Sequence, residues 1–217
     1  MTSALAALAL MPASAQKVNK SSGGYPITPV PFTSVKVWNN TFWGQRIETS
    51  RKVTIPLAFS KCETEGRYKN FERAAHPSDT YDVGKLMPYS FDDTDPYKTI
   101  EGASYVLQTY PDKKLKAYID SVLDIIAPAQ EADGYLYTAR TQNTKHPHFW
   151  AGDKRWSKEE DLSHELYNLG HMVEGAVAHW QATGSRKFLD IAIRYADCVV
   201  REVGPNPGQA CVVPGHQ

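Results

Sequence analysis

Several kinds of local signal are missing from this chain, and each absence argues against a class of function. The 24 Lys and Arg residues balance the 24 Asp and Glu residues, and no block of like charge occurs. The sequence therefore gives no indication of binding to nucleic acid or to an anionic membrane surface, and we expect neither partner. No segment approaches the roughly 20 consecutive apolar residues that a membrane-spanning helix requires.

Cysteine is scarce, and Cys62, Cys198 and Cys211 are separated by long intervals. Because no Cys-x-x-Cys pair is present, the sequence predicts no complete zinc site within this chain. A disulfide stays open in an oxidising compartment, since spacing alone does not select a pair. Cys198 lies in a helical apolar run, and we expect its thiol to be inert.

The first residues carry the features of an export signal. An apolar run from Ala4 to Met11 precedes Ala13-Ser14-Ala15, which fits the small-x-small pattern of a cleavage site. We therefore interpret residues 1–15 as a signal peptide and residues 16–34, which are rich in Lys, Ser, Gly and Pro, as a linker. The protein is expected to be exported to the periplasm or the extracellular space.

Lys and Arg are absent between Lys158 and Arg186, and most of this stretch, residues 162–183, has helical periodicity. The apolar side chains that recur at helical spacing are Leu162, Leu166, Leu169, Val173, Ala176, Val177 and Trp180. At about 100° per residue, the side chains on the opposite face are Asp161, His164, Asn168 and His171. A polar face without Lys or Arg suits the inner wall of a cavity. The alternative is a short polar face with a structural histidine.

The same stretch has a superficial likeness to a zinc-protease helix. That motif requires a second histidine four residues after the first, and Asn168 occupies this position after His164. The next histidine, His171, lies about 10 Å further along a helix axis, which is too far for two ligands of one zinc ion. The sequence therefore argues against a zinc protease, and we assign no metal ligand in this chain.

The helical pattern repeats, because Gln108–Ile126 superposes on Gln181–Val199 at an offset of 73 residues. Each unit is a helix, a tight turn with a capping residue, and a second amphipathic helix. Asp112 is the predicted cap in the first unit, and Gly184-Ser185 is predicted to end the first helix of the second unit and to cap the next helix. Repeated helical hairpins bury their faces only against neighbouring hairpins, in a solenoid or in a closed toroid.

Two long stretches, 66–96 and 133–161, lack clear periodicity and favour a toroid whose loops build a pocket at one end. The second stretch contains an aromatic loop, Lys145–Trp156. Its ring-bearing residues are His146, His148, Phe149, Trp150 and Trp156. This loop either covers the pocket or forms an outer subsite in which indole rings stack on a sugar. The equally weighted alternative is a surface loop that its aromatic residues anchor.

In these motifs and their order, the chain resembles glycoside hydrolase family 127, whose members include β-L-arabinofuranosidases. The resemblance covers residues 35–217. The matching stretches are Phe42-Trp43 to Arg51, Cys62–Arg67 with Asn70-Phe71, Asp95–Leu107, Asp133–Leu136, HELYNLGHMVEGAVAHWQATG from His164, FLDIAIRYAD from Phe188, and Pro214–Gln217. Asp-Gly-Tyr-Leu alone is shared with other six-hairpin glycosidases, so the combination carries the specificity.

The resemblance implies an all-α fold, namely a partial (α/α)₆ toroid of the six-hairpin glycosidase type that is incomplete at its C-terminus. It also implies a retaining glycosidase that releases non-reducing-end L-arabinofuranose from plant-type glycans. In the family a zinc-bound cysteine thiolate is the nucleophile and a glutamate is the acid/base. We recognise none of those zinc-site residues in this sequence. Zinc is therefore expected in the full-length protein and not in this chain, no catalytic residue is assigned, and the fragment is expected to be inactive.

Two histidines are the substrate-binding residues that the resemblance implies. His164 matches the first residue of the His-Glu-Leu-Tyr motif of the family, and His216 matches the histidine of its Pro-Gly-His-Gln motif. A neutral imidazole donates from one nitrogen and accepts at the other, which suits a carbohydrate partner with its ring of hydroxyls. His171 is interpreted as a supporting or core histidine.

Two alternatives stay open. A non-catalytic carbohydrate-binding helical scaffold would explain why no nucleophile is recognised. Another six-hairpin sugar hydrolase that uses carboxylates, such as an unsaturated-uronyl hydrolase, is the other alternative. The His-Glu-Leu-Tyr and Pro-Gly-His-Gln motifs argue against the second alternative, because they are not its signature.

Overall fold

Residues 30–213, which are those that the computed structural model describes, form an assembly of α-helices. The helices are α1 (Phe42–Thr49), α2 (Ile55–Thr64), α3 (Arg67–Ala75), α4 (Val83–Leu86), α5 (Thr94–Thr109), α6 (Lys113–Ile126), α7 (Thr138–Thr141), α8 (Glu165–Thr183) and α9 (Lys187–Glu202). A π-helical segment, Ser50–Thr54, joins α1 to α2. The β-pairing within the described residues is one isolated bridge between Val203 and Ala210. The predicted all-α fold is confirmed for this part of the chain.

The chain divides into two compact units, Met1–Val35 and Lys36–Gln217. In the first unit the described residues contain a 3₁₀ turn, Phe32–Ser34. The predicted signal peptide, most of the predicted linker and His216 lie outside the described residues. Within the described range, no helix has both the length and the apolar character needed to cross a membrane.

Both predicted helical hairpins lie in the compact unit Lys36–Gln217. In the first hairpin, the side chain of Asp112 accepts hydrogen bonds from the backbone N–H groups of Lys114 and Leu115 at 2.8 and 3.2 Å, and α6 begins there. In the second hairpin, α8 ends at Gly184, whose φ of 71° lies in the left-handed region that glycine tolerates. Both helical hairpins of the predicted repeat are therefore confirmed, whereas closure into a toroid stays a prediction. The predicted cap of α9 is wrong in its position, because the N-cap residue is Arg186, whose side chain makes no capping hydrogen bond.

The most extensive helix–helix contact joins α5 and α8, the first helices of the two hairpins. Gly175 makes this approach possible, because a Cβ atom at this position would lie 2.8 Å from the carbonyl oxygen of Tyr97. The same Cβ would lie 3.2 Å from the ring of Phe188, which is itself fully buried. The backbones of α5 and α8 therefore pack closely, with the first turn of α5 against the middle of α8.

Part of the stretch that was predicted to be irregular, 66–96, is helical. Gly66 adopts a φ of 78° after α2, and α3 follows at once. Tyr68, Phe71 and Ala74 recur every three residues and are buried in the core. This apolar periodicity is too short to stand out in the sequence. By contrast, 133–161 contains only the single-turn helix α7, as the pattern indicates.

Candidate functional site

The loops that lead into α5 and α8 are hydrogen-bonded to each other. The hydroxyl of Ser90 donates to the carbonyl of Leu162 at 2.8 Å, across a sequence separation of 72 residues. Asn168 donates to the carbonyl of Ser90 at 3.4 Å and to the carbonyl of His164 at 2.6 Å. These bonds bring the N-terminal ends of two neighbouring helices together and place His164 at their junction.

His164 lies immediately before α8 and not within it, so the prediction of a helix over 162–183 is wrong at its start. Its φ of 61° is in the left-handed region, which costs a residue other than glycine about 1 to 3 kcal/mol. Such strain persists only where the surrounding bonds impose it. Because His164 precedes the helix, helical periodicity does not determine where its ring points.

The buried face of α8 also differs from the prediction. The residues Asn168, Met172, Gly175 and His179 follow helical spacing and are buried. Val173 and Val177, which belong to the predicted apolar stripe, are each 37% exposed. The close approach of α5 explains this orientation, because only the side of α8 that carries Gly175 admits a second backbone. Leu169 and Ala176 of the predicted stripe are buried, so the prediction from side-chain polarity is right for these two residues and wrong for Val173 and Val177.

The imidazole of His164 is held in one orientation and is only 7% exposed. Its Nδ1 lies 2.5 Å from the carbonyl oxygen of Leu162. Because a carbonyl oxygen only accepts, Nδ1 carries the hydrogen, and in the neutral tautomer with this hydrogen Nε2 is an acceptor. The ring thus has the donor and acceptor polarity that recognition of a sugar hydroxyl requires.

Aromatic rings surround His164. Phe91 and Tyr167 approach its ring edge to face, with centroid distances of 5.1 and 5.6 Å. Tyr89 stacks on Phe91 at 5.1 Å and is 47% exposed. Lys98 donates to the hydroxyl of Tyr167 at 2.7 Å. Partly exposed aromatic rings beside polar groups are the surface that binds the apolar face and the hydroxyls of a sugar together.

His171 takes a supporting position. Its ring lies edge to face with Tyr167 at a centroid distance of 4.5 Å and is half-buried. Burial lowers its pKa, so the ring is neutral at neutral pH. It contacts the site through Tyr167, which agrees with its interpretation as a supporting histidine.

Glu159 caps α8 from the preceding loop. Its carboxylate accepts the backbone N–H groups of Glu165 and Leu166, at 2.8 and 3.0 Å. The side chain of His164, which occupies the N-cap position, does not make this bond. Glu159 therefore satisfies donors that a helix N-terminus otherwise leaves unpaired, and its charge suits the positive end of the helix dipole. The position of His164 depends on this cap.

Glu165, the first residue of α8, points into the protein and is fully buried. Its carboxylate accepts the hydroxyl of Tyr135 at 2.5 Å, the backbone N–H of Trp156 at 2.8 Å and the hydroxyl of Ser163 at 3.0 Å. Burial raises its pKa to about 7, against the opposing effect of the bond from Tyr135. Glu165 ties the start of α8 to two other segments and thereby helps to position His164, the residue before it.

A second buried carboxyl, Asp93, lies just before α5. It accepts the backbone N–H of Thr138 at 2.8 Å and the hydroxyl of the same residue at 2.5 Å. Burial is the largest influence and raises the pKa of Asp93 to about 7. An unfolded aspartate titrates near 3.9. Between about pH 4 and pH 7, Asp93 is therefore protonated in the folded state and ionised in the unfolded state.

Asp93→Asn is therefore expected to become more stable relative to the unchanged chain as the pH rises. The stability that Asp93 contributes is complete below pH 4 and is lost as the pH rises through 7, since the unfolded state binds fewer protons in this window. Between pH 5 and pH 7 the difference in unfolding free energy is expected to change by roughly 2 kcal/mol in favour of the variant. Chemical denaturation of both proteins at the two pH values measures this. A constant difference would contradict the protonation of Asp93.

One group of described residues has the composition of a metal site. The ligand atoms of Asp133, Cys198 and Glu202 lie within 4.8 Å of one another. The guanidinium of Arg155 already binds this group, because Nη1 donates to Asp133 at 2.7 Å and to Glu202 at 2.5 Å. Nη2 donates to Glu131 at 2.6 Å. A zinc ion would have to displace this cation, so the group does not fit a zinc site.

The two buried cysteines, Cys62 and Cys198, do not supply a reactive thiolate either. Cys62, Cys198 and Cys211 are free. Burial raises the pKa of Cys62 to about 11 and that of Cys198 to about 12, so both are thiols at neutral pH. Cys211 is exposed and belongs to no candidate metal group among the described residues. The expectation that Cys198 is inert agrees with its burial.

Comparison with known proteins identifies the family of the chain. The family model described as β-L-arabinofuranosidase, GH127 catalytic domain, matches residues 34–217. The chain belongs to the GH127 family. It is 41% identical, over 126 residues, to the non-reducing end β-L-arabinofuranosidase of Bifidobacterium longum subsp. longum. The resemblance drawn from the motifs is thereby confirmed.

Solved structures of GH127 proteins have the same fold over the shared region. A GH127 β-arabinofuranosidase is 74% identical to this chain, with a TM-score of 0.86 over 89% of it. A GH127 β-L-arabinofuranosidase from Geobacillus stearothermophilus T6 is 33% identical, with a TM-score of 0.70 over 82%. The chain spans 30% and 27% of the lengths of these two structures, and 18% of the length of the Bifidobacterium protein.

The aromatic loop Lys145–Trp156 is anchored as one of the two alternatives predicted, whereas its role as a pocket cover or an outer sugar subsite stays a prediction. Trp156 is 3% exposed and donates through its indole N–H to Glu202 at 2.8 Å, so it anchors the loop. Phe149 is 67% exposed and is presented to solvent. No sequence pattern indicated a role for Phe91 or Glu159. Tyr167 belongs to the His-Glu-Leu-Tyr motif. This motif is the sequence signal that could have placed Tyr167 beside His164.

Proposed function

We propose that this chain forms the sugar-binding part of a retaining β-L-arabinofuranosidase catalytic domain. In the whole protein, this domain would release non-reducing-end L-arabinofuranose from plant-type glycans. The observation that carries the proposal is the oriented imidazole of His164 among Phe91 and Tyr167, in a chain of the GH127 family. We also propose that the protein is exported, which the Ala13-Ser14-Ala15 pattern supports.

The binding chemistry follows from the polarity of these groups. Nε2 of His164 accepts a hydrogen bond from a sugar hydroxyl, since Nδ1–H is bonded to Leu162. The half-buried ring of Phe91 offers apolar surface for the carbon face of the sugar. His216, which the resemblance implies as a second sugar-contacting residue, lies outside the described residues and stays part of the proposal.

The hydrolytic step is not assigned to any described residue. Retaining hydrolysis needs a nucleophile and an acid/base on the two sides of one glycosidic bond. The nucleophile of the family is implied to be a zinc-bound cysteine. Cys62 and Cys198 are buried thiols, and Arg155 binds the one candidate metal group among the described residues. We therefore propose that this chain binds the sugar and does not cleave it.

His164→Asn is expected to weaken the binding of methyl β-L-arabinofuranoside by at least about tenfold, the effect of losing one well-placed hydrogen bond. Asparagine is the suitable replacement, because it tolerates the left-handed backbone that alanine does not. Calorimetric titration of the 217-residue chain measures the affinity. His76→Ala, at an exposed histidine, is the matched control and is expected to bind as the unchanged chain does.

The same titration separates the proposal from an unsaturated-uronyl hydrolase, and an assay of turnover by the whole protein separates it from a non-catalytic scaffold. An unsaturated-uronyl hydrolase would bind an unsaturated uronide more tightly than the arabinofuranoside, whereas the proposal predicts the opposite order. A non-catalytic scaffold would bind arabinofuranosides in the whole protein as well, without turnover there. Equal affinity of the His164→Asn variant and the unchanged chain would remove His164 from the site.

A further inference from the structure

A second pocket lies between the segments 79–84 and 143–149. It has a volume of about 390 Å³, and its walls include Asp79, Tyr81, Asp82, Asn143, His146 and Phe149. This volume falls within the roughly 300 to 1,000 Å³ that are usual for small-molecule sites. Neither the capping of α8 nor the surroundings of His164 involve these residues, so the function proposed above leaves the pocket unexplained.

Asn143 makes the pocket rigid. Its amide group donates to the carbonyls of Asp79 and Tyr81, at 3.2 and 3.0 Å. Its side-chain oxygen accepts the backbone N–H groups of Lys145 and His146, at 3.1 and 3.0 Å. One buried amide group thus joins the two walls of the pocket through four hydrogen bonds. A pocket that is already formed binds its ligand without the entropic cost of ordering its walls.

Phe149 forms a fixed aromatic platform at the edge of this pocket. One of its faces stacks on His148, with a centroid distance of 4.4 Å and an interplanar angle of 27°. His148 is fully buried, and burial lowers its pKa, so its ring is a neutral support. Phe149 nevertheless stays 67% exposed. A large aromatic ring that is supported from below and open above suits stacking on a flat ligand face.

The charges around the pocket favour an uncharged ligand. Asp79 pairs with Lys145 at 2.5 Å, and Asp82 pairs with Lys85 at 2.9 Å. The carboxylates are therefore neutralised in place, which disfavours both an isolated cation and an anion. Polar donors and acceptors of balanced charge beside an aromatic platform match a polyhydroxylated molecule.

A continuous series of aromatic contacts leads from this pocket to His164. Phe149 contacts Trp150 at a centroid distance of 5.3 Å, and Trp150 contacts Tyr89 at 6.2 Å. Tyr89 stacks on Phe91 at 5.1 Å, and Phe91 lies 5.1 Å from the ring of His164. A carbohydrate chain that is bound at His164 therefore has an aromatic surface along which to reach the second pocket.

We propose that the pocket between residues 79–84 and 143–149 is a second carbohydrate subsite, which binds a further sugar unit of the oligosaccharide held at His164, with Phe149 as its stacking platform. This inference rests on the proposed function, because it takes the ligand at His164 to be a sugar. It adds a preference for oligosaccharides over single arabinofuranosides.

The test compares methyl β-L-arabinofuranoside with a linear β-L-arabinofuranosyl trisaccharide on the 217-residue chain. The trisaccharide is expected to bind about tenfold more tightly, since linked units engage two subsites at once. Phe149→Ala is expected to abolish this advantage and to leave the affinity for the methyl glycoside unchanged. Phe149→Tyr, which keeps the ring, is expected to retain the advantage. Phe42→Ala, at a phenylalanine that is 61% exposed on α1, is the matched control.

Amide and imidazole NMR signals of Gly84 and His164 separate the two proposals. Perturbation of both signals by the trisaccharide, with the Gly84 shift lost in Phe149→Ala, supports the subsite. Perturbation at His164 alone, or a tenfold advantage that survives in Phe149→Ala, overturns the subsite and leaves the proposed function standing. A shift at Gly84 that depends on Phe149, without any at His164, supports the pocket and contradicts the site at His164. If the trisaccharide shifts neither signal, both proposals are contradicted.

Discussion

Gly175→Ala is expected to destabilise the folded chain by about 2 kcal/mol, the usual cost of one surplus methyl group in a packed interior. The added Cβ would lie 2.8 Å from the carbonyl oxygen of Tyr97 and 3.2 Å from the ring of Phe188. Neither neighbour yields easily, because one is helix backbone and the other is fully buried. Denaturant unfolding followed by circular dichroism measures the change.

Gly170→Ala is the matched control in the same helix. Nothing lies within 4 Å of the position that its Cβ would occupy. The variant is therefore expected to gain about 0.5 to 1 kcal/mol from the better helix propensity of alanine. Opposite signs for the two substitutions would establish the face by which α8 packs on α5. A similar small gain at both positions would contradict the packing, and with it the placement of His164.

Arg155→Ala is expected to lower the unfolding free energy by about 2 kcal/mol. The cost is smaller than for one partner of a fully buried ion pair, because solvent reaches this cluster. The substitution leaves Glu131, Asp133 and Glu202 close together without their shared cation. It also removes the guanidinium that lies 4.0 Å from the ring centroid of Tyr135. Thermal and denaturant unfolding at low salt measure the loss.

The control for this change is Arg186→Ala, which breaks an exposed i,i+4 pair with Asp190 and is expected to cost at most about 0.5 kcal/mol. A second readout tests the account of the metal-like group. Cadmium is expected to raise the melting temperature of Arg155→Ala, because Asp133, Cys198 and Glu202 then converge on a vacated position. The unchanged chain is expected to show no such effect. Equal stabilisation of both proteins would contradict the role assigned to Arg155.

Those features of the fold that depend on neighbouring residues could be predicted from the sequence. Asp112 and Gly184 act within a few positions of the helix ends that they determine, so their residue types were sufficient. The repeat of helical hairpins followed from apolar spacing in the same way. α3 escaped notice because its nine residues display too few turns for a periodic pattern.

The site was predictable only in part, because its geometry depends on contacts between distant residues. His164 was found through its motif, but its left-handed backbone depends on Glu159 and on the bonds between Ser90, Leu162 and Asn168. The bond from Tyr135 to Glu165 spans 30 residues, and no local pattern announces it. Similarly, the rotation of α8 is decided by Gly175 against α5, which outweighs the polarity of its side chains.

We propose that this chain binds a β-L-arabinofuranoside at His164 and does not cleave it. Equilibrium dialysis of the 217-residue chain against an aryl β-L-arabinofuranoside, with zinc present, measures bound glycoside and released aryl group in one sample. The account predicts saturable binding that His164→Asn weakens, and no release of the aryl group. Absence of binding would contradict the sugar site, and release that a chelator abolishes would show that the described cysteines and carboxylates hold a working zinc centre.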